Sequence, residues 1–386
     1  MIRVDGAWRS RAETQAVFSA LAAPGAQVLF VGGCVRNALL GAAVEDIDIA
    51  TNLRPKDVIA LARKAHLAVV PTGIDHGTVT VVSGDVPHEV TTFRADIRTD
   101  GRHADVSFSD RIDVDAARRD FTINALYAEP DGTVVDPLGG LRDIQDRRLR
   151  FIGNAQDRIR EDYLRSLRYF RFFAWYADPG RGLDPDALDA IARNIDGLHQ
   201  LAKERVTSEL LKLLRARDPA VAAAGMQQTG VLSNLLPGAD PALLFPLLSL
   251  EVELGIGASD IRRLVALMPH GADAVLRLSR AEARSYAQLG QFMNHTAGPA
   301  ELGFRMGRSM AQDTVLLRNA ALSHPISKAD WDKIAWGSKQ VLPVSAADLM
   351  PRFHGPKIGE ALEKMTKEWI ASDFTLSKSD LINALD

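Results

Sequence analysis

Asp46 and Asp48 lie two residues apart in Glu45–Ala50 (EDIDIA), where acidic and aliphatic residues alternate. On a strand that period of two turns both carboxylates to one face and Ile47 and Ile49 to the other. Like charges at adjacent same-face positions repel, and a divalent cation makes them compatible. Hard oxygen donors suit Mg²⁺, which takes one or two carboxylates plus substrate phosphates. The plainer reading is solvated acidic surface on an edge strand. Glu89 alternates with Val90 within His88–Arg94 (HEVTTFR), so a third carboxylate can reach the same sheet face. It reads either as a base or orienting group for an attacking hydroxyl or as an exposed edge-strand glutamate.

Anion chemistry precedes the acidic pair. Val28–Val31 reads as a buried strand broken by Gly32-Gly33, and Cys34–Leu40 as a helix closed by Gly41. A Gly-Gly after a strand is by itself only a tight turn. The order of strand, Gly-Gly, helix start, Arg36 and acidic pair brings anion-binding amides, a guanidinium and a metal site into one small unit. No Gly-Lys-Ser/Thr follows the glycines and Gly-x-Gly-x-x-Gly is absent, so this is neither a Walker loop nor a dinucleotide fingerprint. From Arg142 to Arg171 nine arginines face five acids without a lysine, either a solvated helix face or a track for phosphates. Within it Asp162, Arg165, Arg168 and Arg171 recur every three residues, a polar stripe on a predicted helix over Asn154–Tyr176. The aromatics among them read as core.

The elements that position these groups alternate early and become helical later. A helix over Arg9–Ala22, one from Pro55 to about Ala65, and strands at Val69-Val70, Thr78–Val82 and Glu89–Phe93 are predicted. Arg94–Arg111 reads as a polar, mobile loop around Asp100-Gly101, and a hairpin follows at Asp131-Gly132. Strand signals almost vanish after Asp143, and the remainder reads as helices, one of them opening at Gly355-Pro356. The expected class is α+β, a mixed sheet with helices followed by an all-α part. The 386 residues allow two or three domains, and 46% hydrophobic with 25% charged residues is ordinary for a globular chain. A net charge of −3 announces no nucleic-acid partner. The lone Cys34 excludes a disulfide framework and a cysteine zinc cluster, the first residues are charged, and no run of about 18 apolar residues occurs. A cytoplasmic protein, not a membrane one, is expected.

Taken together, LFVGGCVRNALLG with EDIDIATN, HEVTTFR, RRDFTINAL, DPLGGLRDI, EDYLRSLRYFRF and KERVTSELLK cover roughly residues 27–215. In this order they resemble the bacterial class II CCA-adding enzymes (tRNA nucleotidyltransferases) and poly(A) polymerases of the polymerase-β-like nucleotidyltransferase superfamily. The segment Leu342–Phe374 is also similar to that family's C-terminal region. The resemblance implies a nucleotidyltransferase head over 1–150, a nucleotide-selecting neck over 151–215, a body over 216–320 and a tRNA-binding tail over 321–386. It implies Mg²⁺ on Asp46 and Asp48, with Glu89 as the recurrent third carboxylate. Gly32, Gly33, Arg36 and Arg119 match nucleotide-contacting positions, and Asp162, Arg165, Arg168 and Arg171 match the nucleotide-selecting helix. The implied activity is addition of CCA to tRNA from CTP and ATP.

Hydrogen-bond chemistry agrees with that implication. Cytosine and adenine both present an amino donor beside a ring-nitrogen acceptor, which an aspartate and an arginine complement. Guanine and uracil put a carbonyl where the amino group belongs, and an unpaired buried group costs about 1–3 kcal/mol or more. One departure stands out: the usual Gly-Gly-x-Val-Arg-Asp ends here in Asn37. Rival readings are an A-adding or CC-adding specialist, a poly(A) polymerase, a small-molecule nucleotidyltransferase and a non-catalytic RNA-binding protein.

Overall fold

The apolar run Val28–Val31 forms β1, central in its sheet and buried at all four positions. It is buried because both faces are covered: Trp8 and Phe18 pack on Phe30, and Leu29 and Val31 join a separate cluster. The computed structural model describes residues 2–71, 73–99, 104–350 and 352–385. In chain order the further strands are β2 (Asp48–Thr51), β3 (Ala68–Val70), β4 (Thr78–Ser83), β5 (Val86–Thr92), β6 (Arg94–Thr99), β7 (Ala104–Phe108), β8 (Tyr127–Ala128) and β9 (Val134–Val135). Seven of them form one sheet in the order β3-β4-β5-β2-β1-β8-β9, and β6 pairs with β7. The sheet is mixed: β2 and β5 run parallel, and the other neighbours run antiparallel.

The chain packs as two units. The first, Met1–Pro241 with Val275–Arg277, holds the sheet, and the second, Ala242–Ala274 with Leu278–Asp386, is helical in its described residues. In the first unit the Ala12–Leu21 helix buries Thr14, Val17, Phe18 and Leu21, the spacing of one helical face. Phe18 and Trp8 pack on Phe30 of β1 at ring separations of 4.3 and 4.9 Å. A further cluster joins Leu29, Val31, Ala50, Phe93, Tyr127 and Ile152. The Leu164–Tyr176 helix buries Tyr169, Phe170, Phe172 and Phe173, and Tyr169 stacks on Phe151 at 5.6 Å. Those aromatics are core, and Arg165 and Arg168 of the same helix line a cleft together with Phe172. At the β8–β9 turn a Cβ on Gly132 would stand 2.3 Å from the Val4 carbonyl, so only glycine fits.

In the second unit Glu251 is buried between Arg262 and Arg263, each at 2.6 Å. Phe304, Trp336, Trp369 and Phe374 meet edge to face there. Serine capping boxes open the helices starting at Arg280, Lys328 and Lys378.

Four expectations change. The strand expected over Glu45–Ala50 starts only at Asp48, although the Ile47 carbonyl still accepts from Glu89 N at 3.2 Å. The expected Arg9–Ala22 helix is interrupted at Arg11, whose backbone is extended. The segment read as a loop over Arg94–Arg111 contains the antiparallel β6–β7 hairpin, while Asp100-Gly101 lies outside the described residues. Ladder hydrogen bonds need no apolar face, so a polar sequence hid the strands. The single helix expected over Asn154–Tyr176 is two, Ala155–Glu161 and Leu164–Tyr176, parted at Asp162-Tyr163.

Candidate active site

Asp48 lies directly opposite Glu89 in the parallel register of β2 and β5. Paired positions in adjacent strands carry their side chains on the same face, so the two carboxylates are neighbours. Asp46 precedes them on the exposed approach, while Ile47 and Ile49 are buried beneath, at 3% and 0% exposure. Asp46, Asp48 and Glu89 line a cleft of about 540 Å³ together with Glu45, Asp85 and Arg11. Burial first, then Glu89 and Asp46, push the Asp48 carboxyl up to about 6 against the opposing pull of Arg119 and Arg36.

The gathering of Asp46, Asp48 and Glu89 at one cleft makes the site a fit for a divalent cation. A carboxylate repelled by its neighbours is relieved when positive charge is held between them. Among the described residues no group of three or more His, Cys, Asp or Glu side chains is arranged to cage a metal by itself. The donor set, two carboxylates open to a cleft, is the kind Mg²⁺ completes with substrate phosphates and water.

Asp48 also borders a second cleft of about 360 Å³, lined by Gly32, Gly33, Arg36, Arg118, Arg119, Asp120, Asn124, Asp162, Leu164, Arg165, Arg168, Phe172 and Arg205. Gly32 turns the chain from β1 into the Gly33–Leu39 helix with φ +71, and a Cβ there would stand 3.3 Å from Arg119 Nη1. Its N–H is already donated to the Leu126 carbonyl at 3.0 Å. Gly32 therefore contributes space and turn geometry, not an anion-binding amide. Arg36 is buried, donating to Tyr176 Oη and Asn37 Oδ1 at 2.9 Å and to Asn124 Oδ1, with its guanidinium 4.1 Å from the Tyr176 ring centre. These direct partners are neutral, and burial lowers its pKa.

Arg119 is oriented from behind. Asp115, 1% exposed, accepts from Arg119 Nη2 at 3.0 Å, Arg118 Nε at 2.8 Å and Tyr127 Oη at 2.7 Å. Burial pushes Asp115 up, but Arg119 and Arg118 outweigh it and hold the carboxyl at about 2. Asp120 follows the same logic: buried, yet held at about 2 chiefly by Arg168, whose Nε donates to it at 2.7 Å.

The Asp162-to-Arg171 stripe divides. Asp162 sits in the break between helices, and Arg205 from the Lys203–Leu214 helix donates to its Oδ2 at 2.7 Å. Arg165 donates to Glu161 Oε2 at 2.5 Å and to the backbone carbonyls of Arg158 and Arg118 at 2.9 and 3.2 Å. Asp162, Arg165 and Arg168 border the cleft, whereas Arg171 does not. Arg171 instead pairs with buried Glu209 at 2.5 Å and lies over the Phe172 ring at 4.3 Å. Reading the sequence did not single out Asp115, Asp120, Asn124, Arg205 or Tyr176 as parts of this site. Asp120 and Arg205 lie inside quoted motifs and were within reach, as was Asp115, which stands three and four residues before Arg118 and Arg119 at the spacing of helix neighbours. Tyr176 carries no local signal and joins only through folding.

Family models match in two places: a poly A polymerase head domain over residues 28–150 and a probable RNA and SrmB-binding site of polymerase A over residues 182–243. The human mitochondrial CCA tRNA nucleotidyltransferase 1 is 41% identical over 189 residues, 49% of this chain and 44% of the human protein. The chain thus spans less than half the length of that relative. The CCA-adding enzyme of Levilactobacillus brevis is 30% identical over 94% of both chains. The crystal structure of the Bacillus stearothermophilus CCA-adding enzyme in complex with CTP superposes with TM-score 0.71 at 28% identity, covering 94% of this chain and 93% of that one.

Proposed function

The chain belongs to the CCA-adding enzyme family, and on that premise we propose that it builds or repairs the 3′-terminal CCA of tRNA from CTP and ATP. No nucleic-acid template takes part, and pyrophosphate is released. The observation that carries this reading is that Asp48 borders both clefts, the acidic one with Asp46 and Glu89 and the arginine-lined one with Arg119, Arg165 and Arg168. A nucleotide in the basic cleft presents its α-phosphate beside Asp48, and a primer hydroxyl arrives from the acidic side.

Each group then has a role. The space over Gly32 and Gly33 admits the phosphates, and Arg36, Arg119 and Arg168 supply fixed positive charge around them. Asp162 and Arg165 present an acceptor and a donor to the base edge, which suits cytosine and adenine. The primer 3′-oxygen bonds to the α-phosphorus as the α–β bridging bond breaks, and the hydroxyl proton leaves toward the face that Glu89 shares. Mg²⁺ on Asp46 and Asp48 supplies Lewis-acid chemistry to this exchange when bound. Arg171 acts at one remove, through Glu209 and Phe172. The division into a head over 1–150, neck over 151–215, body over 216–320 and tail over 321–386 is part of the same reading, with tRNA held by the helical regions. The cytoplasm is the compartment that fits its substrates; in the described residues no helix is long and apolar enough to cross a membrane.

The test is incorporation of labelled CTP and ATP, with Mg²⁺, into tRNA transcripts lacking CCA, ending in C-C, or carrying an unrelated 3′ end. Addition of C, C and A followed by a stop is expected. A-addition only after C-C makes the chain an A-adding specialist, and long A tracts on any end make it a poly(A) polymerase.

A further inference from the structure

The geometry points to Arg205 as a positioning residue for base choice, acting through Asp162. This rests on the reading of Asp162 as a base-contacting group. Asp162 ends the Ala155–Glu161 helix with φ −152 and ψ 105, so no helical backbone fixes where its side chain aims. Two donors fix it instead. Leu164 N donates to Oδ1 at 3.1 Å, and Arg205 Nη2 donates to Oδ2 at 2.7 Å. One donor on each oxygen sets the plane of the carboxylate. An ionised carboxylate has about four lone-pair sites, so acceptor capacity remains on the side that both residues turn to the cleft.

Arg165 is held by a different set, Glu161 and the carbonyls of Arg158 and Arg118. The two halves of the base-reading pair are therefore clamped independently, Arg165 from its own segment and the Arg118 backbone, Asp162 from the Lys203–Leu214 helix. A purely structural tie is a weak account of the Arg205–Asp162 pair. Its side chains are 32% and 23% exposed, and partly exposed ion pairs contribute little to stability. What the pair does set is direction. With Arg205 gone, Asp162 can rotate to meet the N3–H of uracil, and the rejection that depends on a fixed acceptor is lost.

The experiment compares kcat/KM for CTP and UTP on a tRNA lacking CCA, in the full chain and its Asp162→Ala, Arg205→Ala, Arg205→Gln and Arg205→Lys variants, alongside thermal midpoints. The expected result is that Arg205→Ala and Arg205→Gln lower the CTP-to-UTP ratio by roughly tenfold or more. Arg205→Lys recovers most of the ratio, and midpoints stay within about 2 °C, as for loss of a partly exposed pair. If Asp162→Ala loosens the ratio while both charge-removing variants keep it, or if they slow both nucleotides equally, the role of Arg205 is overturned. If Asp162→Ala itself keeps the ratio, the base-contacting reading fails and the proposal falls with it.

Discussion

Asp48 and Glu89 are opposed in the parallel pairing of β2 with β5, and Asp48 is pushed up to about 6 by burial, Glu89 and Asp46. A carboxyl whose folded pKa exceeds its ordinary 3.8 favours the fold while protonated. That contribution is complete below the ordinary value and is lost as pH rises through about 6. Asp48→Asn is therefore expected to raise the metal-free thermal midpoint at pH 7–8 by a few degrees, for a difference of order 1–3 kcal/mol, and to leave it nearly unchanged at pH 4. Incorporation of nucleotide by the same variant is expected to fall at least ~1000-fold. A variant with unchanged incorporation removes the catalytic role.

On the proposed reading, Mg²⁺ held at Asp46 and Asp48 competes with the proton on Asp48. Its stabilising effect, read as the shift in midpoint on adding millimolar Mg²⁺, is expected to be larger at pH 8 than at pH 5, and to vanish in Asp46→Asn/Asp48→Asn. EDTA is expected to abolish incorporation and excess Mg²⁺ to restore it. Equal midpoint shifts at both pH values would place the ion elsewhere.

Asp115 behaves in the opposite sense. Its carboxyl is held at about 2, so its stabilisation is present above the ordinary 3.8 and is lost as pH falls through about 2. Asp115→Asn leaves Arg118 and Arg119 without their shared anion, and urea unfolding at pH 7 is expected to show a loss of about 3–5 kcal/mol. The gap between variant and parent is expected to narrow steadily toward pH 2.

Gly32→Ala introduces strain and crowding together, since φ is +71 and the new Cβ stands 3.3 Å from Arg119 Nη1. A stability loss of about 1–2 kcal/mol is expected, with a KM for CTP raised more than kcat is lowered. A variant that loses stability but keeps its KM would show that Arg119 moves aside without consequence.

Asn37 stands where the resemblance drawn from the sequence leads to an aspartate. Its Oδ1 accepts from Arg36 Nε and Nη2 at 3.2 and 2.9 Å, and its Nδ2 donates to the Ala43 carbonyl at 2.8 Å. Aspartate keeps the first two bonds, adds charge, and loses the third. Asn37→Asp is expected to retain incorporation within about threefold, while Asn37→Ala costs about 1–3 kcal/mol of stability. Loss of activity on Asn37→Asp would mean that Arg36 must keep its charge uncompensated.

Much of the site is local chemistry and was legible before folding. The alternation in Glu45–Ala50 fixes which side of β2 is acidic whether or not the strand starts at Asp48, because a period of two is a property of extended backbone. Gly32-Gly33 after an apolar run marks the turn for the same reason: φ +71 is open to glycine and strained for other residues. What sequence spacing misjudged is the Asp162–Arg171 stripe. A three-residue repeat predicts neighbours only on an unbroken helix, and the break at Asp162-Tyr163 takes Asp162 out of that helix.

The sequence by itself determined the chemical types, the strand faces and the order of the motifs, since these follow from side-chain identity and backbone period. Tertiary structure alone decided the partners. Tyr176 over Arg36, Glu209 on Arg171 and Arg205 on Asp162 join residues 140, 38 and 43 positions apart. Such pairings depend on how helices and sheet pack, and packing is set by the whole buried surface, which local pattern does not encode. The parallel placing of Asp48 against Glu89 is of the same kind. Either strand alone shows a carboxylate, and only their register makes the two a site.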